Sequence, residues 1–497
     1  MPNRQRPGTI IKVRGLMKKI KKNTIFILII FFCINWLSPK AALTITIKQE
    51  EDMAREFMRV VVKHYELIKD PMLITYLNQV GKKIVAAASP DFFKYKFHLI
   101  KQNTYNAFAS PAGNIFLNSG LFEALDNEEE LAGILAHEIA HAQCRHISQR
   151  IERSPKMNFL TLAGIAAGIF LGMGGSATAA SAVTIGSMAT NQSIALAYSR
   201  EDEMQADQIG LNYLTAAGYG GQGLLTSLKK IRAKQWFGSK QIPTYLMTHP
   251  ASEARIAYID TWIQIHQQNT NQQSEEIKTD SYAFSRARTR ITAMYGDMEI
   301  ALINFKAAIA KQPDDPMTCY GYGLILDRTG ARKEAAGQLK KALAKHPFDP
   351  YILTDLGRVY VMDGQNENAL NILKGAAAIA SDNPVTFFYM GRANTELGDL
   401  TGAQTAFESA IKLDPDYADA YYFSGQALSK QGKSGPAHYN LGIFYEKTAQ
   451  FDNAVFHLQK ALQMTAIPSK KEKIEKRLKE VRLAQAHKKR EAQKKSQ

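Results

Sequence analysis

"ILAHEIAHAQCRH", residues 134 to 146, sets two histidines four positions apart with a glutamate beside the first. On an α-helix, side chains at i and i+4 share one face, one turn apart, so His137 and His141 can grip a single metal ion. Glu138 points aside but is close enough to hold a water on that ion. Zinc lowers the pKa of such a water from about 15.7 to about 7, and a neighbouring carboxylate then takes its proton. This is the H-E-x-x-H motif. Its flanks predict a helix. "LDNEEELAGILAHEIAH" opens with Asn127 as N-cap and has Glu130 three residues on, a capping-box arrangement, and Leu131, Ile134, Leu135 and Ile139 form an apolar stripe at helical spacing. The plain alternative is a pair of satisfied polar residues in a helix core, so a third ligand decides the matter: catalytic zinc keeps three protein ligands and one open position.

Two nearby candidates do not fit. His146 lies five residues past His141, which on a continuing helix points it away from the other ligands, and Ile147 stands where a metzincin would have its histidine. Cys144 shares the helix face, but H-E-x-x-H sites do not normally use such a cysteine, and a small buried filler is the expected role. "YSREDEMQADQIGLNYL", residues 198 to 214, is a better source. It reads as a second helix with Met204, Ile209, Leu211 and Leu214 apolar, and Glu203 and Asp207 are again i and i+4. A glutamate on a second helix is the usual third ligand of glutamate-type zincins. The aspartate after it often accepts the free N–H of a ligating histidine and fixes its tautomer. The competing reading is a solvated acidic face over Glu201, Asp202 and Glu203.

HEIAH followed by EMQAD resembles the H-E-x-x-H/E-x-x-A-D peptidases, the family that includes the CAAX prenyl protease and the HtpX membrane protease. Two more blocks agree in order. "YNAFASPAGNIFLNSGLFEAL" (105 to 125) matches N-A-F-A-x-P-x-G-x-I-x-x-x-x-G-L, and "THPASEARI" (248 to 256) matches H-P-x-x-x-R-I. The resemblance implies a zinc endopeptidase with one ion per chain, and it sets His249 and Arg255 near the metal. Arg255 would then stabilise the oxyanion of the tetrahedral intermediate. His249 would do likewise, or would occupy the open zinc position and hold the enzyme shut. The bland alternative is a loop before a helix, with Arg255 in a salt bridge. In the first of these blocks, Asn114, Ile115, Phe116, Leu117 and Asn118 alternate, bounded by Gly113 and Gly120. That pattern suggests an exposed strand able to take an extended peptide by strand addition, or else an ordinary sheet strand.

A length of 497 residues predicts two or more domains, and 45% hydrophobic with 22% charged residues is a globular balance. The formal charge of +16 does not mark a nucleic-acid binder. Residues 1 to 22 carry eight Lys/Arg and no acid, residues 470 to 497 carry twelve Lys/Arg and four acids, and the body between is neutral overall. From Met17, "MKKIKKNTIFILIIFFCINWLSPKAAL" puts a basic stretch before an apolar run from Ile25 to Leu37, then Ala41 and Ala42. This is the pattern of an export signal, too short for a comfortable membrane span. Met17 is the expected start and Pro39 lies just before the expected processing point, with an uncleaved anchor as the alternative. Cys33 lacks the small residues of a lipobox, and Cys144 and Cys319 are too few for a disulfide framework. A second apolar region, 158 to 197, is broken by "GMGG" at 172 to 175 and reads as a helical hairpin, packed over the cleft, resting on a membrane surface or buried.

From residue 282 the chain repeats. Glycines at 296, 330, 364, 398 and 432, alanines at 301, 335, 369, 403 and 437, and Phe305, Leu339, Leu373, Phe407 and Leu441 all step by 34, and Pro313, Pro347 and Pro415 end three units. These resemble tetratricopeptide repeats, helix pairs stacked into a solenoid with a concave groove. Past 432 the pattern restarts 17 residues late at Gly442, Ala454, Leu458 and Ala461, which predicts one irregular helix pair. The expected organisation is an export segment (1–42), a mainly α, zincin-type α+β peptidase domain with a small sheet (43–266), a polar linker (267–281), an α-solenoid (282–468) and a basic helical tail (469–497). That combination resembles the periplasmic β-barrel assembly-enhancing proteases of Gram-negative bacteria. The resemblance implies degradation of misfolded or stalled outer-membrane proteins in the periplasm and docking on the barrel-assembly machinery through the repeats. Peripheral membrane contact is also expected, and nucleic acid is not. A non-proteolytic chaperone or scaffold acting through the repeats is the alternative from another class.

Overall fold

The computed structural model describes residues 45–88, 93–152, 198–236, 243–270 and 279–495. The expected export segment (1–42) and the hairpin expected at 158–197 lie outside them, as does most of the expected linker. No helix among the described residues is long and apolar enough to cross a membrane.

Helix α1 (Ile47–His64) starts at a reciprocal capping box between Thr46 and Gln49. Strand β1 (Leu67–Ile68) leads to α2 (Pro71–Ala87), which Asp70 caps. Strands β2 (Lys96–Ile100), β3 (Ala107–Ser110) and β4 (Asn114–Asn118) follow, with a 3-10 turn at Pro111–Gly113 before β4. After the short α3 (Ser119–Ala124) comes α4 (Glu128–Gln143), the helix of the H-E-x-x-H motif, and then α5 (His146–Glu152). The set closes with α6 (Arg200–Ala216), α7 (Gln222–Trp236), α8 (Thr244–Thr248) and α9 (Glu253–Thr270). Asn127 caps α4 as its sequence predicts, accepting from the Glu130 amide at 2.9 Å, while the Glu130 carboxylate reaches one residue further back, to the Asp126 amide at 2.8 Å.

The sheet order is β1-β2-β4-β3, with β2 and β4 parallel and the other pairs antiparallel. This corrects the expectation for residues 114–118. Asn114, Ile115, Phe116, Leu117 and Asn118 form an interior strand with both edges paired, so they do not offer an edge to a peptide. Both faces are covered too. Ile115 and Leu117 enter the main core beside α2 and α4, while Phe116 stacks on Phe108 at 4.8 Å and meets Phe57 of α1 on the other side. An alternating strand and a central strand look alike when short apolar residues fill both sets of positions.

The main core does not stop at the expected linker. Helix α10 (Ser281–Tyr295) opens the repeat region, yet its Phe284, Ala287 and Ile291 are buried in the same cluster as Leu121 and Phe122. Phe284 stacks on Phe122 at 5.7 Å, and Arg290 pairs with Asp70 at 2.6 Å and with Asp355 at 2.5 Å. The peptidase part and the first repeats therefore share buried surface and a buried ion-pair network. The expected linker from 267 also begins inside α9.

The solenoid continues as α11 (Met298–Lys311), α12 (Pro316–Arg328), α13 (Arg332–Lys345), α14 (Pro350–Met362), α15 (Asn366–Ile379) and α16 (Pro384–Glu396). It ends with α17 (Leu400–Leu413), α18 (Ala418–Lys430), α19 (Ser434–Lys447), α20 (Phe451–Gln463) and α21 (Pro468–Lys495). Gly330, Gly364, Gly398 and Gly432 turn the chain at φ between +75° and +86°, where a Cβ is disfavoured. Gly296 is the exception, at φ −70° in an extended C-cap. A second set of glycines, invisible as turns, sits inside helices: Gly323, Gly357, Gly391 and Gly425 each face the large residue of the partner helix. A Cβ on Gly357 would stand 2.4 Å from Leu373 Cγ. Gly357→Ala should therefore destabilise the solenoid by about 1–3 kcal/mol, as overpacking does, read as an earlier unfolding transition in denaturant. Past Gly432, Ala449 at φ +56° makes a turn 17 residues on, so α19 pairs with both α18 and α20. The basic tail is helix α21, which buries Ile474, Leu478 and Val481 against α20 as a cap.

Candidate metal centre

Helix α4 lies against β3 with α6 beside it. Gly210 of α6 permits that approach: a Cβ there would sit 3.3 Å from the backbone of Ala136 and His137. Ser199 caps α6 in a reciprocal pair with Asp202, so the "REDE" run enters the helix with Glu203 facing inward while Glu201 faces water.

Four buried donors converge. His137, His141, Glu203 and His249 place ligand atoms within 4.8 Å of one another. His137 Nε2 and His141 Nε2 are 3.0 Å apart, and Glu203 Oε1 lies 3.3 Å from His141 Nε2 and 2.9 Å from His249 Nδ1. His249 follows α8, whose Tyr245 ring stacks on it at 4.5 Å. Glu138 is fully buried beside this group, and neither of its oxygens has a hydrogen-bond partner among the described residues; His249 Nε2 is 3.6 Å away. Such a set of imidazoles and a carboxylate suits a borderline cation such as zinc, and an orphaned buried carboxylate beside it suits a proton acceptor.

Asp207 stands behind His137, with Oδ1 2.9 Å from its Nδ1. Arg255 is buried and donates from Nε and Nη2 to the two oxygens of Asp207 at 2.6 and 2.7 Å; its Nη1 pairs with Glu203. Tyr258 also donates to Asp207. The donors of Arg255 thus face carboxylates, the salt-bridge arrangement. The electrostatics follow. Burial pushes Glu203 and Asp207 up, but Arg255 together with the neighbouring histidines, His249, His137 and His141 at Glu203 and His137 at Asp207, outweighs it and holds both carboxyls below their usual range. Burial and Arg255 depress His137, yet Asp207 and Glu203 win and raise it to about 9. His141, with burial dominant and a charged His137 beside it, is held well below its usual value. The cluster is one compensated set of charges.

Residues 71–263 match the model of Peptidase family M48, and tetratricopeptide-repeat models match 296–350, 323–384, 391–432 and 435–467. The chain carries an M48 peptidase domain followed by tetratricopeptide repeats. Among curated relatives, the beta-barrel assembly-enhancing protease of Yersinia pestis is 32% identical over 266 residues, 54% of this chain and 53% of that one. The protein of the same name from Escherichia coli (strain K12) is 30% identical over 56% of this chain and 58% of its own length. The mitochondrial metalloendopeptidase OMA1 of Schizosaccharomyces pombe is 28% identical over 43% of this chain and 61% of its own. The chain spans about half the length of the first two of these.

The M48 domain also holds residues that sequence reasoning passed over. His146 does not point away. Helix α4 ends at Gln143, and Arg145 takes φ +56°, which turns the chain back. His146 Nδ1 then lies 2.8 Å from His141 Nδ1. No rule marks an arginine as the residue that will adopt the left-handed region, so this turn left no signal. Tyr198 packs its ring 3.9 Å from that of His141, and Tyr245 stacks on His249. Cys144 is half-buried at the helix C-cap, burial pushes its thiol up to about 11, and it stands outside the donor group.

Proposed function

We propose that this chain is an exported zinc-dependent endopeptidase that degrades misfolded or stalled outer-membrane proteins in the periplasm, and that its repeats dock substrate or the barrel-assembly machinery. The observation that carries the catalytic part is the buried Glu138 carboxylate, which accepts no hydrogen bond among the described residues, beside four convergent donors. The names of the bacterial relatives support the substrate class. His137, His141 and Glu203 hold the ion, one per chain. Bound zinc supplies a Lewis acid that polarises the scissile carbonyl and acidifies water. Glu138 takes the proton from the attacking water and returns it to the leaving amine. Asp207 orients His137 through Nδ1, and Arg255 acts by neutralising Asp207 and Glu203. The test is metal content of the purified chain together with cleavage of casein or of itself, against Glu138→Gln. A chain that binds no zinc and cuts nothing overturns the reading.

His249 has the part of a plug. Its Nδ1 lies 3.3 Å from His137 Nε2 and 2.9 Å from Glu203 Oε1, among the other donor atoms. As a fourth ligand this imidazole would fill the position that a catalytic zinc keeps open, so the resting enzyme would be latent until substrate or a partner on the repeats draws α8 away. His249→Ala should raise basal proteolysis. A fall instead, with zinc and fold intact, would assign His249 to catalysis.

A further inference from the structure

We propose that His146 is a positioning residue for the metal centre, the hydrogen-bond acceptor that fixes the tautomer and aim of His141; this rests on the zinc reading above. A histidine that offers Nε2 to a metal must carry its proton on Nδ1, and the group accepting that proton sets the ring's orientation. For His137 the acceptor is Asp207. For His141 the atom facing Nδ1, at 2.8 Å, is His146 Nδ1. Two ring nitrogens that close share one proton. With His141 as donor, His146 Nδ1 presents its lone pair and its own proton moves to Nε2. That nitrogen faces Gln205 Oε1 at 3.0 Å. Both histidines are buried, His141 at 1% and His146 at 2% exposure.

The chain of bonds has a second consequence. Gln205 sits two residues past Glu203 on α6. His141, His146 and Gln205 therefore join the helix carrying two ligands to the helix carrying the third. The turn that makes this possible is held from outside. Arg145, at φ +56°, donates from Nε to the buried Glu50 at 2.5 Å and from Nη2 to the carbonyl of Ile45. Non-glycine residues take that conformation only where their surroundings over-determine it. The two histidine ligands are thus oriented by unlike partners, an anion for one and a neutral ring for the other.

The test is zinc affinity, measured by chelator competition on the full chain in a Glu138→Gln background that cannot digest itself. Losing such an outer partner typically costs 10–100-fold in metal affinity, and about that loss is expected for His146→Phe, which keeps a ring but no acceptor. His146→Asn should recover most of the affinity, because its Oδ1 stands the same number of bonds from the backbone as Nδ1. A merely structural role predicts the opposite order, with Phe tolerated and Asn not. Gln205→Leu, on the other helix, reads the same bonds if the His146 variants do not fold, and it should weaken zinc several-fold. Parent-like affinity in a folded His146→Phe chain, Asn as weak as Phe, or unchanged affinity in Gln205→Leu would each overturn the positioning role alone. A parent that takes up no zinc would overturn the metal reading and this inference with it.

Discussion

Glu138→Gln should remove proteolysis while leaving one zinc per chain and the fold intact. Glutamine keeps the shape of the side chain and loses only its ability to take a proton. A positioned general base contributes about 10²–10⁴-fold to rate, so cleavage of casein should fall by that range or below detection. The fold should not suffer, because neither Glu138 oxygen bonds to another described residue and the side chain is fully buried. Replacing a buried carboxylate that accepts no hydrogen bond among the described residues by a neutral amide removes a desolvation cost. Cleavage and zinc content are read on the same preparation. Near-wild-type cleavage with zinc bound would sink the mechanism.

Arg255→Met should be the most damaging single change to stability in the M48 domain. It keeps the apolar bulk and deletes the cation that Asp207 and Glu203 share. Breaking a buried pair from one side costs about 3–5 kcal/mol, since the partner charge is left uncompensated. The unfolding transition should move to lower denaturant, and zinc should bind more weakly because Asp207 no longer holds His137 through a fixed geometry. The pH dependence has a definite sign. The Asp207 carboxyl is depressed in the folded chain by Arg255 and by His137, against the effect of burial. A depressed carboxyl contributes stability that is fully present above its unfolded value, about 3.9, and is lost as pH falls through the lower folded value. The gap between wild type and Arg255→Met should therefore be largest near neutral pH and narrow as the pH falls, because burial without Arg255 favours the protonated carboxyls in the variant. A gap that widens on acidification would show that Arg255 acts on something other than these carboxylates.

The candidate site residues were legible because each pair lies within one helix. His137 with His141, and Glu203 with Asp207, follow from a 3.6-residue period that a linear sequence displays. The repeats were legible for the same reason, since each 34-residue unit meets mainly its neighbours. The pairing of Arg255 with Asp207 joins positions 48 residues apart, and no periodicity carries such a distance. At Arg255 the salt bridge and the oxyanion role therefore both stayed open in the sequence, and the structure sets Asp207 and Glu203 around it.

By itself, then, the sequence determined the local geometry: a helix face that sets His137 beside His141, a second acidic helix and a solenoid that slips by half a unit after Gly432. Tertiary structure alone decided four things. It put Asn114–Asn118 inside the sheet, because parallel pairing with β2 and antiparallel pairing with β3 are long-range choices that leave no mark on the strand itself. It drew α10 into the peptidase core, where Phe284 finds Phe122. It gave Gly323 and its successors their partners across the helix pairs. And it brought His146 back to His141, because one left-handed residue, Arg145, anchored by Glu50 from a helix some 95 positions earlier, ends the period that had pointed His146 away.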